Sequence, residues 1–295
     1  MNCWRKSFLA IAAAAAVAAV ALIAASSLLV ACGASGTPAA ESLTPTGVSP
    51  DDVTDDKREG SRQELLVAGA SDLRPAFEKI GQLFMAETGS TVTFTFGSSG
   101  QLAQQIIDGA PFDVFASADV ALVDDVVTAG RGDKSTLTTY AYGRLAIWSS
   151  PDIDKKLSLD DLSSGTISRI AIANPDHAPY GRAAVQALQS TGQFDSVGSK
   201  LVYGDNVSDA YRLGVSGNAE AAIVSLSLVI ADDHGGQYSV VPAAAHDPLQ
   251  QALVVTAKAP QADLANRFVA FVASSAGRET MRAYGFVLPG EPTPK

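Results

Sequence analysis

The 295-residue sequence predicts an α/β fold, with mainly parallel sheets covered by helices on both faces and the whole arranged as two lobes. Three observations carry this expectation. From residue 64 onward short apolar runs alternate with amphipathic segments, the signature of strand–helix units. Runs such as 65–70 read as strands buried on both faces, as parallel sheets require. Residues 137–149 form a continuous stretch where the first set of units ends, and a return occurs near 245–250. Lobe I is therefore expected from 64–144 and 246–295, with lobe II, 145–245, inserted into it. No short-period repeat is present.

The elements follow in order. A strand at 65–70 precedes a helix at 72–88, where Phe77, Ile80, Leu83 and Phe84 recur at helical spacing. The strand at 91–96 alternates, with Val92, Phe94 and Phe96 on one face, and runs into a helix at 101–108. A short strand at 114–116 and a helix at 120–129, stopped by Gly130, complete this set. Strands are expected at 145–148, 170–173, 201–203 and 221–224, with helices at 183–189 and 208–215 between them. Late strands at Val240 and 253–256 and helices at 262–273 and 277–283 close the chain.

The N-terminus reads differently. Arg5 and Lys6 precede an apolar run from Phe8 to Val30 that closes on Leu29-Val30-Ala31-Cys32. A charged start, an apolar stretch and a small-residue cleavage site make an export signal over 1–31. Leu-x-Ala-Cys followed by glycine resembles a bacterial lipobox, which implies cleavage before Cys32 and a lipid on its thiol. An anchor of that kind leaves the working domain outside the bilayer. Residues 32–63, rich in Gly, Ser, Thr and Pro and then charged, read as a disordered tether. The other cysteine, Cys3, lies in the discarded segment, so the mature domain offers no disulfide and no cysteine metal site. The net charge is −10, and removing the leader takes away Arg5 and Lys6 but no acid, leaving −12. That balance argues against nucleic acid as a partner.

Chemistry concentrates at the strand-to-helix turns. In "LLVAGASDLRPAF" Ser71 and Asp72 stand where a helix opens, and in "VTFTFGSSGQLAQQI" Ser98 and Ser99 do the same. These residues can be helix caps. Equally, hydroxyls and free N–H groups at two parallel helix starts point to one side and can hold an anion. In "NPDHAPYGRAAVQAL" Tyr180 sits at a proline-bounded helix start, and in "VYGDNVSDAYRLGVSG" Val207 follows Asn206. Four such starts, two per lobe, suit a small tetrahedral anion. Five to eight hydrogen bonds to a charged group, at roughly 1.5–3 kcal/mol each, exceed what micromolar binding needs before desolvation is subtracted.

Other features carry no chemistry. His177, His234 and His246 are far apart and read as surface or loop residues. Neither a Gly-x-Ser-x-Gly elbow nor a Walker loop is present. Asp113 and Asp119 flank a short strand, where capping and solvation account for them as well as paired acids would. No enzyme activity and no cofactor are expected.

The phrases Phe-x-Ser-Ser-Gly-x-Leu-x-x-Gln-Ile, "GAPFDVFASAD", "NPDHAPYGRAA" and "RAYGF" together resemble the periplasmic molybdate-binding proteins of ABC importers, across essentially all of 64–288. The resemblance implies a two-lobed type II binding-protein fold, monomeric, that closes on molybdate or tungstate and delivers it to membrane permease subunits. By motif, Ser71 and Ser99 would donate hydroxyl and backbone N–H groups, with Tyr180 and the Val207 amide completing the molybdenum oxyanion's contacts. Some members place a tyrosine where this chain has Ser225, so the fifth contact falls to Tyr180 or to Ser225. Asp72 could supply an acceptor for a protonated anion, and phosphate or sulfate is the alternative ligand. An extracellular enzyme or an adhesin on the same scaffold is the reading from a different class.

Overall fold

The computed structural model describes residues 63–232 and 234–292; the export signal, most of the tether and Cys32 lie outside them. The chain runs β1 (Glu64–Ala70), a single 3-10 turn at Ser71–Leu73, α1 (Arg74–Thr88), β2 (Thr91–Gly97), α2 (Ser99–Ile107), β3 (Val114–Ser117), α3 (Val120–Thr128) and β4 (Thr138–Gly143). It continues through β5 (Leu145–Ser149), β6 (Ile170–Ala173), α4 (Pro179–Ser190), α5 (Phe194–Val197), β7 (Leu201–Gly204), α6 (Val207–Val215), β8 (Ala221–Ser225), α7 (Leu226–Ala231) and β9 (Gln237–Val240). Finally come β10 (Leu249–Val255), α8 (Ala262–Ala273) and α9 (Ser275–Ala283).

These strands form two five-stranded sheets, ordered β2-β1-β3-β10-β4 and β7-β6-β8-β5-β9. In each, four strands point one way and one is reversed: β10 in the first, β5 in the second. The reversed strand is the one each sheet receives from the other side of the molecule. The stretch at 137–149, read from sequence as one continuous segment, is thus two strands in different sheets, with Arg144 alone between them.

Burial follows strand position. Central β1 is apolar nearly throughout because both faces are covered, whereas edge strand β2 alternates Thr outward with Val92, Phe94 and Phe96 inward. Helix α1 buries Ala76, Phe77, Ile80 and Phe84. Phe84 and Phe77 meet Phe268 of α8 edge-on, at 5.3 and 6.0 Å between centroids. Each such ring contributes roughly 1.5–3 kcal/mol on burial, which seats α1 firmly on its sheet. The helix stops at Gly89, whose φ of 71° needs a residue without a Cβ.

Register places the turns. Ala70 pairs with Gly97 at the ends of β1 and β2, so Ser71 and Ser98 leave the first sheet side by side. Ala173 pairs with Gly204 in the same way at the ends of β6 and β7. Two neighbouring helix starts per sheet result, at the carboxyl ends of parallel strands, where open α/β sheets bind ligands.

Candidate anion-binding site

The four helix starts enclose one small cavity, with about 10 Å³ of room for the centre of a water-sized sphere. The first sheet lines it with Ala70, Ser71, Asp72, Gly97, Ser98, Ser99 and Ala118; the second contributes Ala178, Pro179, Tyr180, Asn206 and Val207. Pockets for drug-sized ligands run to roughly 300–1,000 Å³, so this one suits an ion rather than a sizeable organic molecule.

Its hydroxyls are held so that their protons can be donated. Ser99 Oγ accepts from the Ala118 amide at 3.1 Å, and Ser71 Oγ from the Ser208 amide at 3.3 Å. A hydroxyl whose oxygen is already engaged as acceptor retains its proton for a ligand. Capping, the other reading of these serines, is not what they do: the helix starts at Ser71, Arg74 and Ser99 carry no side-chain cap bond. At α6 the cap is Asn206, whose Oδ1 takes the amides of Ser208 and Asp209 at 3.0 and 3.1 Å. The cap leaves aside the amide of Val207, which lines the cavity.

Tyr180 and Asp72 share the inner wall. Gln251 on β10 donates Nε2 to Asp72 Oδ2 at 2.7 Å and to the Tyr180 hydroxyl at 3.3 Å, while its Oε1 accepts from Tyr140 at 2.9 Å. Burial pushes the Asp72 carboxyl up to about 6, held back by Gln251, Tyr180 and the amides of Asp72 and Leu73. Burial first, and then the Asp72 charge, holds the phenols of Tyr140 and Tyr180 well above their ordinary range, so both are neutral donors. Gly143 lies against this network. A Cβ there would come within 2.2 Å of the Tyr180 oxygen.

The sheets are latched around the cavity. The His177 carbonyl accepts from Ser98 Oγ at 2.7 Å and from the Gly100 amide at 3.0 Å. Ser98 has one proton and gives it to that carbonyl, so His177 Nδ1, 2.9 Å away, is the donor of their second bond. Ser208 Oγ donates to Ser71 O at 3.0 Å, Ser227 Oγ to Asp72 O at 2.6 Å, and Arg182 pairs with Asp119 at 2.7 Å. A Cβ on Gly100 would sit 2.6 Å from the His177 carbonyl oxygen. The second glycine of "FGSSGQ" is therefore what lets the two halves meet.

Of the residues expected at the site, Ser71, Asp72, Ser99, Tyr180 and Val207 come together in the cavity, and Ser225 does not. As the last residue of β8, in the middle of its sheet, Ser225 is fully buried behind Tyr180 and hydrogen-bonded to Ser227. Gln251, Tyr140 and His177 escape a reading of local turns. The one sequence signal for Gln251 is an amide in the apolar run "LQQALVV". Asp113 and Asp119 act as acceptors for backbone amides, Asp119 capping α3. Among the described residues no cluster of His, Cys, Asp and Glu could hold a metal ion.

Residues 65–287 match the family described as bacterial extracellular solute-binding protein. The chain belongs to that family. This solute-binding protein is 35% identical to the molybdate-binding protein ModA of Rhodobacter capsulatus over 226 residues, 76% of this chain and 88% of the relative. It is 32% identical over 264 residues to the molybdate-binding protein ModA of Mycobacterium tuberculosis, covering 88% and 93% of the two chains. Among solved structures, the periplasmic molybdate-binding protein of Azotobacter vinelandii superposes with a TM-score of 0.73 at 30% identity, covering 76% of this chain and 99% of that one. A sulfate-binding protein, SubI of M. tuberculosis, shares the fold, with a TM-score of 0.66 at 16% identity.

Proposed function

We propose that this solute-binding protein captures molybdate between its lobes and hands it to the membrane subunits of an ABC importer. The observation that carries the reading is a small cavity faced by two serine hydroxyls, a neutral phenol and helix-start amides, with no cation lining it. Such donors hold a fully deprotonated oxyanion through hydrogen bonds and helix-end dipoles without any reacting group, so binding and closure are the whole activity. The names of the relatives at 32–35% identity favour molybdate among the tetrahedral oxyanions.

Tungstate, alike in charge and shape, is a second ligand under this proposal. Ser71, Ser99, Tyr180 and Val207 are the contacts, and Ser225 supports Tyr180 from behind. The anion bridges donors of both lobes and so favours the closed form by differential affinity. Attachment to the outer face of the membrane through a lipid on Cys32, and action as a monomer, complete the proposal. Phosphate remains a second reading because Asp72 Oδ1 lacks a hydrogen-bond partner and would accept the proton of a protonated anion.

Calorimetric titration of the purified protein decides between them. One-to-one molybdate binding at micromolar Kd or tighter, surviving excess sulfate and phosphate, is expected. Absence of heat with molybdate, together with binding of phosphate or sulfate, would overturn the assignment while leaving the fold intact.

A further inference from the structure

We infer that the Asp72 carboxyl takes up one proton from solvent when the anion enters, so that the complex holds its ligand against a neutral carboxylic acid. This rests on the anion-binding reading of the cleft. Asp72 lines the cavity and is fully buried. One carboxyl oxygen, Oδ2, accepts from Gln251, whereas Oδ1 is buried with no hydrogen-bond partner. Unpaired buried charge is among the most costly arrangements in a protein interior, and a group so placed tends to neutralise instead.

The groups packed around Asp72 offer it hydrogen bonds but no positive charge. Helix α4 presents Tyr180, β4 presents Tyr140 through Gln251 of β10, and α7 presents Ser227 to the main-chain carbonyl. The amides of Asp72 and Leu73 complete its surroundings. All are neutral. The cations about the cleft are engaged elsewhere: Arg182 with Asp119, Arg212 with Asp209, and Arg74 with Glu78 and the face of Phe96. Arg144 and His246 line a different cavity. His177 is the other titratable ring at the cleft, and its Nδ1 is bonded to Ser98.

An ionised Asp72 would therefore share a water-poor space with a dianion and no positive charge. Uptake of one proton removes that repulsion. The step balances simply: dianion, carboxylate and one proton from the buffer give a dianion beside a carboxylic acid, with a single O–H bond formed. The new O–H gives Asp72 a hydrogen to donate from the wall of the cavity, where the ionised form had an unpaired oxygen. Proton uptake and anion binding are then linked, and each strengthens the other.

The test is titration with molybdate at pH 7.5 in three buffers of different ionisation enthalpy, which yields the number of protons exchanged. Uptake approaching one proton per molybdate is expected in the unaltered protein. Its Kd should weaken by up to tenfold per pH unit between pH 7 and 9. Asp72→Asn should bind with almost no proton exchange and a flat pH profile, whereas His177→Gln should keep the uptake. An infrared difference spectrum of the unaltered protein, which needs no variant to fold, should gain a protonated-carboxyl band when molybdate is added. Molybdate binding without proton uptake, uptake that persists in Asp72→Asn, or uptake lost in His177→Gln would each overturn the inference and leave the molybdate assignment standing. Failure of molybdate to bind at all would remove both.

Discussion

The two sheets share one strand order, yet their helix starts present different chemistry to the cavity. β1 and β2 end in helix starts without side-chain caps, where Ser71 and Ser99 offer hydroxyls and Asp72 brings a buried acid. In the second sheet Asn206 caps α6 and Tyr180 stands at the start of α4, so that half offers a backbone amide and a phenol. The comparison separates two contributions. Topology brings four helix starts together, and the residues in the turns decide what those starts can hold.

If the uncapped half dominates affinity, its serines should matter most. Ser71→Ala with Ser99→Ala removes two hydrogen bonds to a charged ligand, each worth roughly 1.5–3 kcal/mol. Molybdate Kd should weaken by about two to four orders of magnitude, while the ligand-free protein loses about 1–3 kcal/mol of stability because the Ala118 amide is left unpaired. A double variant that binds as before would assign affinity to the Tyr180–Val207 side instead.

Asp72 sharpens the contrast through stability. Its carboxyl is raised to about 6 from an ordinary 3.8, so the folded protein binds that proton more tightly than the unfolded chain does. The penalty is absent below about pH 4, grows as pH rises, and is complete above about pH 6, where it amounts to about 3 kcal/mol. Asp72→Asn should therefore stabilise the ligand-free protein by about 3 kcal/mol at pH 8 and hardly at all at pH 4, measured by denaturant unfolding. An equal effect at both pH values would show that packing, and not charge burial, is at issue.

The smallest effect belongs to the rim. Arg182 and Asp119 join the two halves, but both are substantially exposed, and such pairs contribute about 0–1 kcal/mol. Arg182→Ala should weaken molybdate binding a few-fold at most, and less in high salt. A loss of a hundredfold would make the rim, rather than the cavity, the seat of affinity.

What could be read beforehand follows from how local each signal is. Ser71, Ser99, Tyr180 and Val207 each sit in a strand–turn–helix unit of about a dozen residues, and small or capping residues mark such units plainly. Gln251 meets Asp72 across 179 positions, and Tyr140 meets Gln251 across 111. Their pairing exists because β10 returns to lie between β3 and β4, which no local pattern encodes. Ser225 stood in the right kind of turn, but its strand is central, so its hydroxyl faces inward. Helix α7 escaped because "LSLVIA" is a short apolar run, in which helix and strand look alike.

The reversed strands also govern how the halves can move. β4 passes into β5 through one residue, Arg144, and β9 returns to β10 through 241–248. Two tethers side by side forbid the lobes to slide or drift apart and leave them little beyond a rocking motion. In a device of that kind the strands serve as lever arms. A pull at the open edge, far from the crossings, therefore acts on the ring of donors through a longer arm than the same pull beside Arg144.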